Sequence, residues 1–521
     1  MKNSDNLEKN TRTGWSLTFL SRITGLIRDG AISRIFGTGV FASAFYFAFQ
    51  IPNLFRRLFG EGALSAAFLP SYVKLQEKDP QLAKALATLT ISKLFVLLGS
   101  IVIIGELLLW FILSQQTTPS QSLQLTMVML PYMPLVCVVA IFAAMLHVHD
   151  RFGPPAAAPI VLNGLMIVAL YGFWNVFENS LHHLMILGVA VVVAGIIQII
   201  WSLYAMRRFG WYTRSTHGGR NELRTMMRKT VPMVLALGTL QINTLLDGLI
   251  ASWPTVFGES FFGLEYPLPE GAMGSLSWAQ RLYQFPLGVF GIAVAAAIYP
   301  LLAKQEKDVA SFTTTIHRAL RMVVFIGLPA SLGLIIVRNP LAATIFQGGS
   351  FTSEDSLIVG SILLGYAPAV WAYSMLHVLT KAFYAKDDAM TPVKVAIFVV
   401  ILNFILNITL IWTPLGTSAL AWSTAVCAVL QVSVLVVLIR PHVTNLVDAA
   451  VLKSWGLTSA LTVTMGAIVA IVLNMLWTEN GTWLDSVYCL VACVISGVTI
   501  FLMSSFALKM PELYWFFGRK A

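Results

Sequence analysis

Runs of about twenty mostly apolar residues recur from one end of this chain to the other, and no other feature constrains its fold as much. A helix rises 1.5 Å per residue, so about twenty residues cross the roughly 30 Å hydrocarbon core of a bilayer. Such windows number about fourteen. They lie near 14–36, 40–60, 90–113, 122–146, 157–177, 184–206, 230–252, 274–301, 318–337, 356–380, 392–413, 416–439, 454–477 and 483–508. The runs are continuous rather than alternating, which excludes a transmembrane β-barrel. Of the 521 residues, 57% are hydrophobic and 11% charged, where a soluble chain carries about 25% charged residues. The expected fold is an all-α polytopic membrane protein.

Charge placement sets the orientation. The net charge is +10. Counted from a cytoplasmic N-terminus, the loops after even-numbered spans carry Lys74, Lys78 and Lys84, then Arg207 to Lys229, then Lys304 and Lys307, then Lys381 and Lys386. The opposite loops are almost free of Lys and Arg, with Arg338 the main exception, and the loop near 254–271 carries Glu259, Glu265 and Glu270. This is the positive-inside pattern, and it puts both termini in the cytoplasm. The basic 207–229 segment reads as a topogenic loop touching anionic headgroups. The polar start, MKNSDNLEKNTRTG, precedes a long apolar run and does not read as a cleaved signal peptide. Cys137, Cys427, Cys489 and Cys493 all fall in spans with no metal spacing and read as small buried side chains. His147 and His149 border a cytoplasmic loop without a third ligand.

The chain also resembles itself. DRFGPPAAAPIVLN at 150–163 parallels DDAMTPVKVAIFVVILN at 387–403: a charged turn, a proline, then a helix holding an asparagine. IPNLFRRLFGEGALSAAFLP, ending at Pro70, parallels YQFPLGVFGIAVAAAIYP, ending at Pro300. Similar offsets suggest a duplicated unit of about six spans, the repeat plan of many transporters. The expected organisation is an N-lobe at 1–229, a C-lobe at 230–440 and two extra C-terminal helices within 441–521. Two pseudo-symmetric six-helix lobes would enclose a central cavity suited to alternating access.

Several charges sit inside the apolar runs. The first two spans hold Arg22, Arg28, Asp29, Arg56, Arg57 and Glu61, and the eighth holds Arg281. Arg57 and Glu61 are four apart and can pair on one helix face. Arg22 and Asp29 are seven apart and also share a face. Charge at bilayer depth is costly, so such residues face a bundle interior or a wet cavity. One reading is that each Arg pairs with an acid to fix packing. The bases outnumber the acids, however: Arg22, Arg28, Arg56, Arg57 and Arg281 stand against Asp29, Asp247 and Glu61. An excess of guanidinium in an apolar shell calls for an anion, and the planar fork of Arg suits phosphate. A lipid diphosphate, with its headgroup in the cavity and its tail in the bilayer, has the right character.

The motifs SRITGLIRD at 21–29, FQIPNLFRRLFGEGALSAAFLP at 49–70, RFGPPAAAPIVLN at 151–163, QRLYQFPLGVFGIAVAAAIYP at 280–300 and FYAKDDAMTPVKVAI at 383–397 together resemble the MurJ (MviN) lipid II flippase family. That family lies in the multidrug/oligosaccharidyl-lipid/polysaccharide exporter superfamily, and the likeness weakens in the last two spans. The resemblance implies a V-shaped fourteen-helix flippase. It would move undecaprenyl-diphosphate-linked muropeptide, lipid II, from the inner to the outer leaflet of the bacterial cytoplasmic membrane for peptidoglycan synthesis. It further implies substrate binding by Arg22, Arg28, Arg56 and Arg281, with Asp29 and Glu61 as gating acids. Membrane lipids are expected partners, the peptidoglycan synthesis machinery is a candidate partner, and nucleic acid is not a partner. The chain departs from the family pattern where Ser43, Gln280 and Gln284 replace residues that are often acidic, and where His377 stands in place of a Lys.

A coupling site is expected in the C-lobe. Asp247 with Asn403, Asn407, Ser423 and Thr424 offers oxygen ligands for Na⁺, or Asp247 carries a proton. The alternative is that these groups only hydrogen-bond between helices. No phosphate-binding Gly loop, nucleophile elbow or metal motif is present in the sequence. The expectation is a transporter rather than an enzyme, without a cofactor, driven by Na⁺, H⁺, the membrane potential or substrate supply. Exporters of other lipid-linked glycans and a membrane glycosyltransferase are the competing readings.

Overall fold

The computed structural model describes residues 2–60, 63–173, 180–479 and 481–517. Almost all of it is helical, in two compact units, Met1–Tyr266 and Pro267–Ala521. The first unit contains α1 (Lys2–Phe36), α2 (Val40–Phe55), a π-helical turn (Arg56–Gly60), α3 (Ala63–Lys78), α4 (Pro80–Gln115), α5 (Gln121–Met129) and α6 (Tyr132–Val148). It continues with α7 (Gly153–Gly172), α8 (Ser180–Met206), α9 (Gly219–Ala251), α10 (Trp253–Phe257) and a short hairpin, β1 (Ser260–Phe261) with β2 (Leu264–Glu265). The second unit contains α11 (Ala272–Pro286), a π-helical turn (Leu287–Gly291), α12 (Ile292–Lys304), α13 (Val309–Ile336), α14 (Arg338–Phe346), α15 (Ser353–Tyr366) and α16 (Val370–Ala385). It ends with α17 (Met390–Leu410), α18 (Ser418–Leu438), α19 (Ala449–Leu476), α20 (Trp483–Ala507) and α21 (Pro511–Phe516).

Helix starts follow the sequence chemistry. Asp79 caps α4 ahead of Pro80, accepting from the amides of Gln81 and Leu82, and Asp308 and Asp448 cap α13 and α19. Thr352 with Asp355 and Thr482 with Asp485 form reciprocal capping boxes on α15 and α20. Small residues let helices approach. A Cβ on Gly327 of α13 would come within 2.8 Å of the Trp371 Cα, and one on Gly365 of α15 within 2.6 Å of Ala421. Bilayer helices associate through such close backbone packing, because lipid offers no hydrophobic drive for them to meet.

The fourteen expected ranges are mostly helical within the described residues, and ten segments among those residues are long and apolar enough to cross a membrane. The other four are α1, α2 with its π-helical turn, α9, and α11 with α12. These are the segments that hold Arg22, Arg28, Arg56, Asp247 and Arg281. Most of the membrane-depth charge among the described residues is thus held in these four segments. The boundary expected near residue 230 falls inside α9, a continuous helix that packs on α3 and α4 of the first unit.

The duplication has structural counterparts. Asp150 and Asp387 open the two parallel motifs with the same left-handed backbone, φ 56° and 57°. Each unit also has a five-residue π-helical turn at the matching place in its repeat. The four cysteines are buried. In the second unit one apolar core joins α12, α13, α16 and α18 around Phe312, Leu320, Phe383 and Leu435. Another, holding Phe325, Met465, Cys489, Cys493 and Phe501, seats α19 and α20 on α13. The carboxylate of Glu512 on α21 is fully buried and accepts from Arg321 Nε and Ser454 Oγ, each at 2.6 Å.

Candidate functional site

The first-unit charges divide into one locked cluster and several looser bases. Arg28 and Asp29 are 8% and 5% exposed on α1. Arg28 Nε and Nη2 donate to Asp29 Oδ1 at 3.0 and 2.6 Å, and Nη1 donates to Asn163 Oδ1 on α7 at 2.9 Å. The Asn163 amide in turn donates to the Ser21 carbonyl at 3.3 Å and to Thr24 Oγ1 at 3.1 Å. Its carbonyl and amide ends therefore read two turns of α1 at once. A buried ion pair repays its desolvation only when its remaining hydrogen-bonding groups are satisfied, and Asn163 supplies that here. The sequence flagged Asn163 through the repeat but assigned it no role. The signal available was a lone amide on an otherwise apolar helix.

Arg22 lies six residues before Arg28, about 9 Å along the axis. It is exposed and makes no hydrogen bond or ion pair with any described residue. Sharing a face with Asp29 does not bring it to that acid, because Arg28, adjacent to Asp29 in sequence, takes the carboxylate first. Arg56, half-buried at the start of the first π-helical turn, donates through Nε and Nη2 to Asn53 Oδ1 at 3.0 and 2.8 Å. The Asn53 amide orients this guanidinium. Arg57 Nη1 reaches Gln241 Oε1 on α9 at 3.5 Å. Glu61, the acid expected opposite Arg57, lies outside the described residues. Ser43 is fully buried in α2.

In the second unit Arg281 is exposed on α11. Its neighbour Gln280 donates to the Tyr366 hydroxyl at 3.1 Å, Gln284 is exposed, and His377 is half-buried on α16. Asn403, Asn407, Ser423 and Thr424 come together between α17 and α18. Asn407 donates to Asn403 Oδ1 at 3.0 Å, Asn403 lies 3.4 Å from Thr424 Oγ1, and Ser423 donates to Asn407 Oδ1. These bonds make the cluster an interhelical tie built of neutral oxygens, which are hard donors of the kind Na⁺ accepts. Asp247 belongs to the first unit, buried on α9, with Asn243 donating to its Oδ2 at 3.3 Å.

Guanidinium, amide and carboxylate groups on otherwise apolar helices suit binding of a charged headgroup. The family profile described as "Lipid II flippase MurJ" matches residues 32–492. This chain belongs to the MurJ family. A probable lipid II flippase MurJ of Vibrio cholerae is 30% identical over 442 residues, covering 81% of this chain and 80% of its own length. The lipid II flippase MurJ of Burkholderia cenocepacia is also 30% identical, with 82% of each chain covered. Among solved structures, a lipid II flippase MurJ in an inward closed conformation superposes with a TM-score of 0.77 at 21% identity, over 97% of this chain and 99% of the other. An inward-facing multidrug resistance MATE family transporter gives 0.64 at 14% identity, over 83% and 98%. At those identities the two structures establish the shared fold. The MurJ structure and the MATE transporter share this multi-helix membrane architecture.

Proposed function

We propose that this chain is a lipid II flippase of the bacterial cytoplasmic membrane. It carries undecaprenyl-diphosphate-linked muropeptide from the inner to the outer leaflet by alternating access, for peptidoglycan synthesis. The observation that carries the reading is Arg22: an exposed guanidinium within a membrane-depth helix, beside a buried pair that already uses the local acid. Such a group favours a doubly charged, phosphate-bearing partner, which it can hold bidentately. Arg28, Arg56 and Arg281 complete the proposed headgroup set, with Asp29 and Glu61 as the acids that trade partners during transport. Both termini are assigned to the cytoplasm by the basic loops.

Coupling is assigned to Na⁺ or H⁺, with Asp247 of the first unit as the ligating or proton-carrying acid, and to no organic cofactor. Asp247→Asn should abolish any sodium or pH dependence of transport. Transport that keeps its full ion dependence in that variant removes the assignment.

The function is tested in cells depleted of their own flippase and supplied with this chain. Lipid II exposed on the outer leaflet is measured with an externally added hydrolase. Restored exposure is expected. Correct insertion with no restoration would move the assignment to another undecaprenyl-linked glycan.

A further inference from the structure

Glu106 sits on α4, a strongly apolar stretch of the first unit, and the headgroup chemistry above makes no use of it. The apolar run around it extends from Leu94 to Leu113. Glu106 is therefore about 18 Å from one end and about 10 Å from the other along the axis, well inside the hydrocarbon. It is half-buried and makes no hydrogen bond or ion pair with any described residue. Its helix packs on α3, α5, α6 and α9, and Leu94, Leu98 and Val102 are buried near Glu106. The adjoining face is open. Val96, Ile103 and Trp110 are 66%, 63% and 64% exposed, and a Cβ added to Gly99 would meet nothing within 4 Å.

These residues are not scattered. Ser92, Gly99 and Glu106 repeat every seven residues, and Val96, Ile103 and Trp110 repeat every seven residues between them. That is one seam of a left-handed helix pair, small or polar at one position and large at the other. Lipid facing alone explains the large residues but not the spacing of the small ones, and it does not explain a carboxyl at that depth. Hydrocarbon tails offer no donor, so a hydrogen-bond donor at this level must come from protein. A second copy in the same membrane orientation would set Glu106 against Glu106 across a parallel pair, which like charge disfavours.

We propose that the Ser92–Trp110 seam of α4 is the docking site for a transmembrane helix of another protein, one carrying a lysine or arginine at mid-bilayer to meet Glu106. A partner of this chemistry would attach to the outside of the transporter, leaving the headgroup residues of α1 and α2 to their own task.

The probe is a synthetic transmembrane helix of leucine and alanine with one central lysine, labelled as an energy-transfer acceptor. Its control has leucine in place of the lysine. Full-length, donor-labelled protein is reconstituted with each in phosphatidylcholine vesicles. The lysine helix should bind the wild type roughly tenfold more tightly than it binds Glu106→Leu, and Gly99→Leu should weaken it similarly by filling the seam. The leucine helix should not distinguish the three proteins. Lipid II transport by Glu106→Leu should match the wild type, which shows that the variant is folded. Equal binding of the lysine helix by wild type and Glu106→Leu overturns the proposal. Self-association that depends on Glu106, without capture of the lysine helix, overturns it in favour of a second copy.

Discussion

Arg22 and Arg28 are the same residue type on the same helix, yet their surroundings give them different tasks. Arg28 is clamped by Asp29 and Asn163, so its first contribution is to the packing of α1 on α7. Removing one member of a buried pair leaves the other uncompensated. Asp29→Asn should therefore destabilise the folded protein by about 3–5 kcal/mol, while a double Arg28→Met/Asp29→Leu variant should lose much less. Thermal unfolding in detergent reads the difference, and equal losses would mean the pair is solvated rather than buried. A second residue-scale test lies in the turn after α6. His149 stacks on Phe209 with centroids 4.2 Å apart, and the Tyr72 hydroxyl lies 3.4 Å from its Nε2. Burial holds His149 below its ordinary range, against a smaller upward pull from Asp150. The folded loop thus prefers the neutral ring. Its stabilisation is complete above about pH 6.5 and is lost as pH falls below that value, because the unfolded state then binds the extra proton. The protection factors of the amides in 207–213, taken against the intrinsic exchange rate at each pH, should fall between about pH 7.5 and about pH 5, and His149→Phe, which keeps the stack, should remove that fall.

At the scale of elements, the two π-helical turns stand out. Each interrupts a helix at the matching point of the repeat, Arg56–Gly60 after Pro52 and Leu287–Gly291 after Pro286. A π-helical turn is a one-residue insertion that breaks the regular hydrogen-bond ladder, often at functional sites. The second borders a small cavity lined by Gly291, Val323, Gly327 and Ser374. Deleting Leu58 or Gly288 should restore a plain α-helix. The variants should insert and remain folded but transport about tenfold less or worse, since bending at these points would be lost. Full transport by both would make the turns a packing detail. None of this was legible in the sequence, because a π-helical turn shows only in which carbonyl each amide reaches. The spans themselves were legible, since length and continuous apolarity determine them. Arg28 and Asp29 were also visible, but the role of Asn163 depends on which helix α1 lies against, and periodicity does not say that. Glu106 was overlooked in GELLLW because one acid barely changes the polarity of so apolar a run.

Over the whole molecule, polarity and apolarity are partitioned. Among the described residues, ten apolar segments supply the bilayer-compatible bulk, while α1, α2, α9 and α11 hold most of the membrane-depth charge. A flippase needs that division, since its frame must be soluble in lipid while its cargo brings a charged headgroup through the same layer. The account therefore rests on guanidinium groups that serve the cargo rather than the fold. Arg22 isolates that claim, because it has no described structural partner to lose. The most direct measurement is the rate of lipid II translocation in proteoliposomes containing wild type or Arg22→Ala, with unfolding temperature measured on the same preparations. The account predicts an unchanged unfolding temperature and a transport rate lower by about tenfold, the loss of one desolvated charge-assisted contact to phosphate. Wild-type transport by Arg22→Ala at equal stability would contradict it.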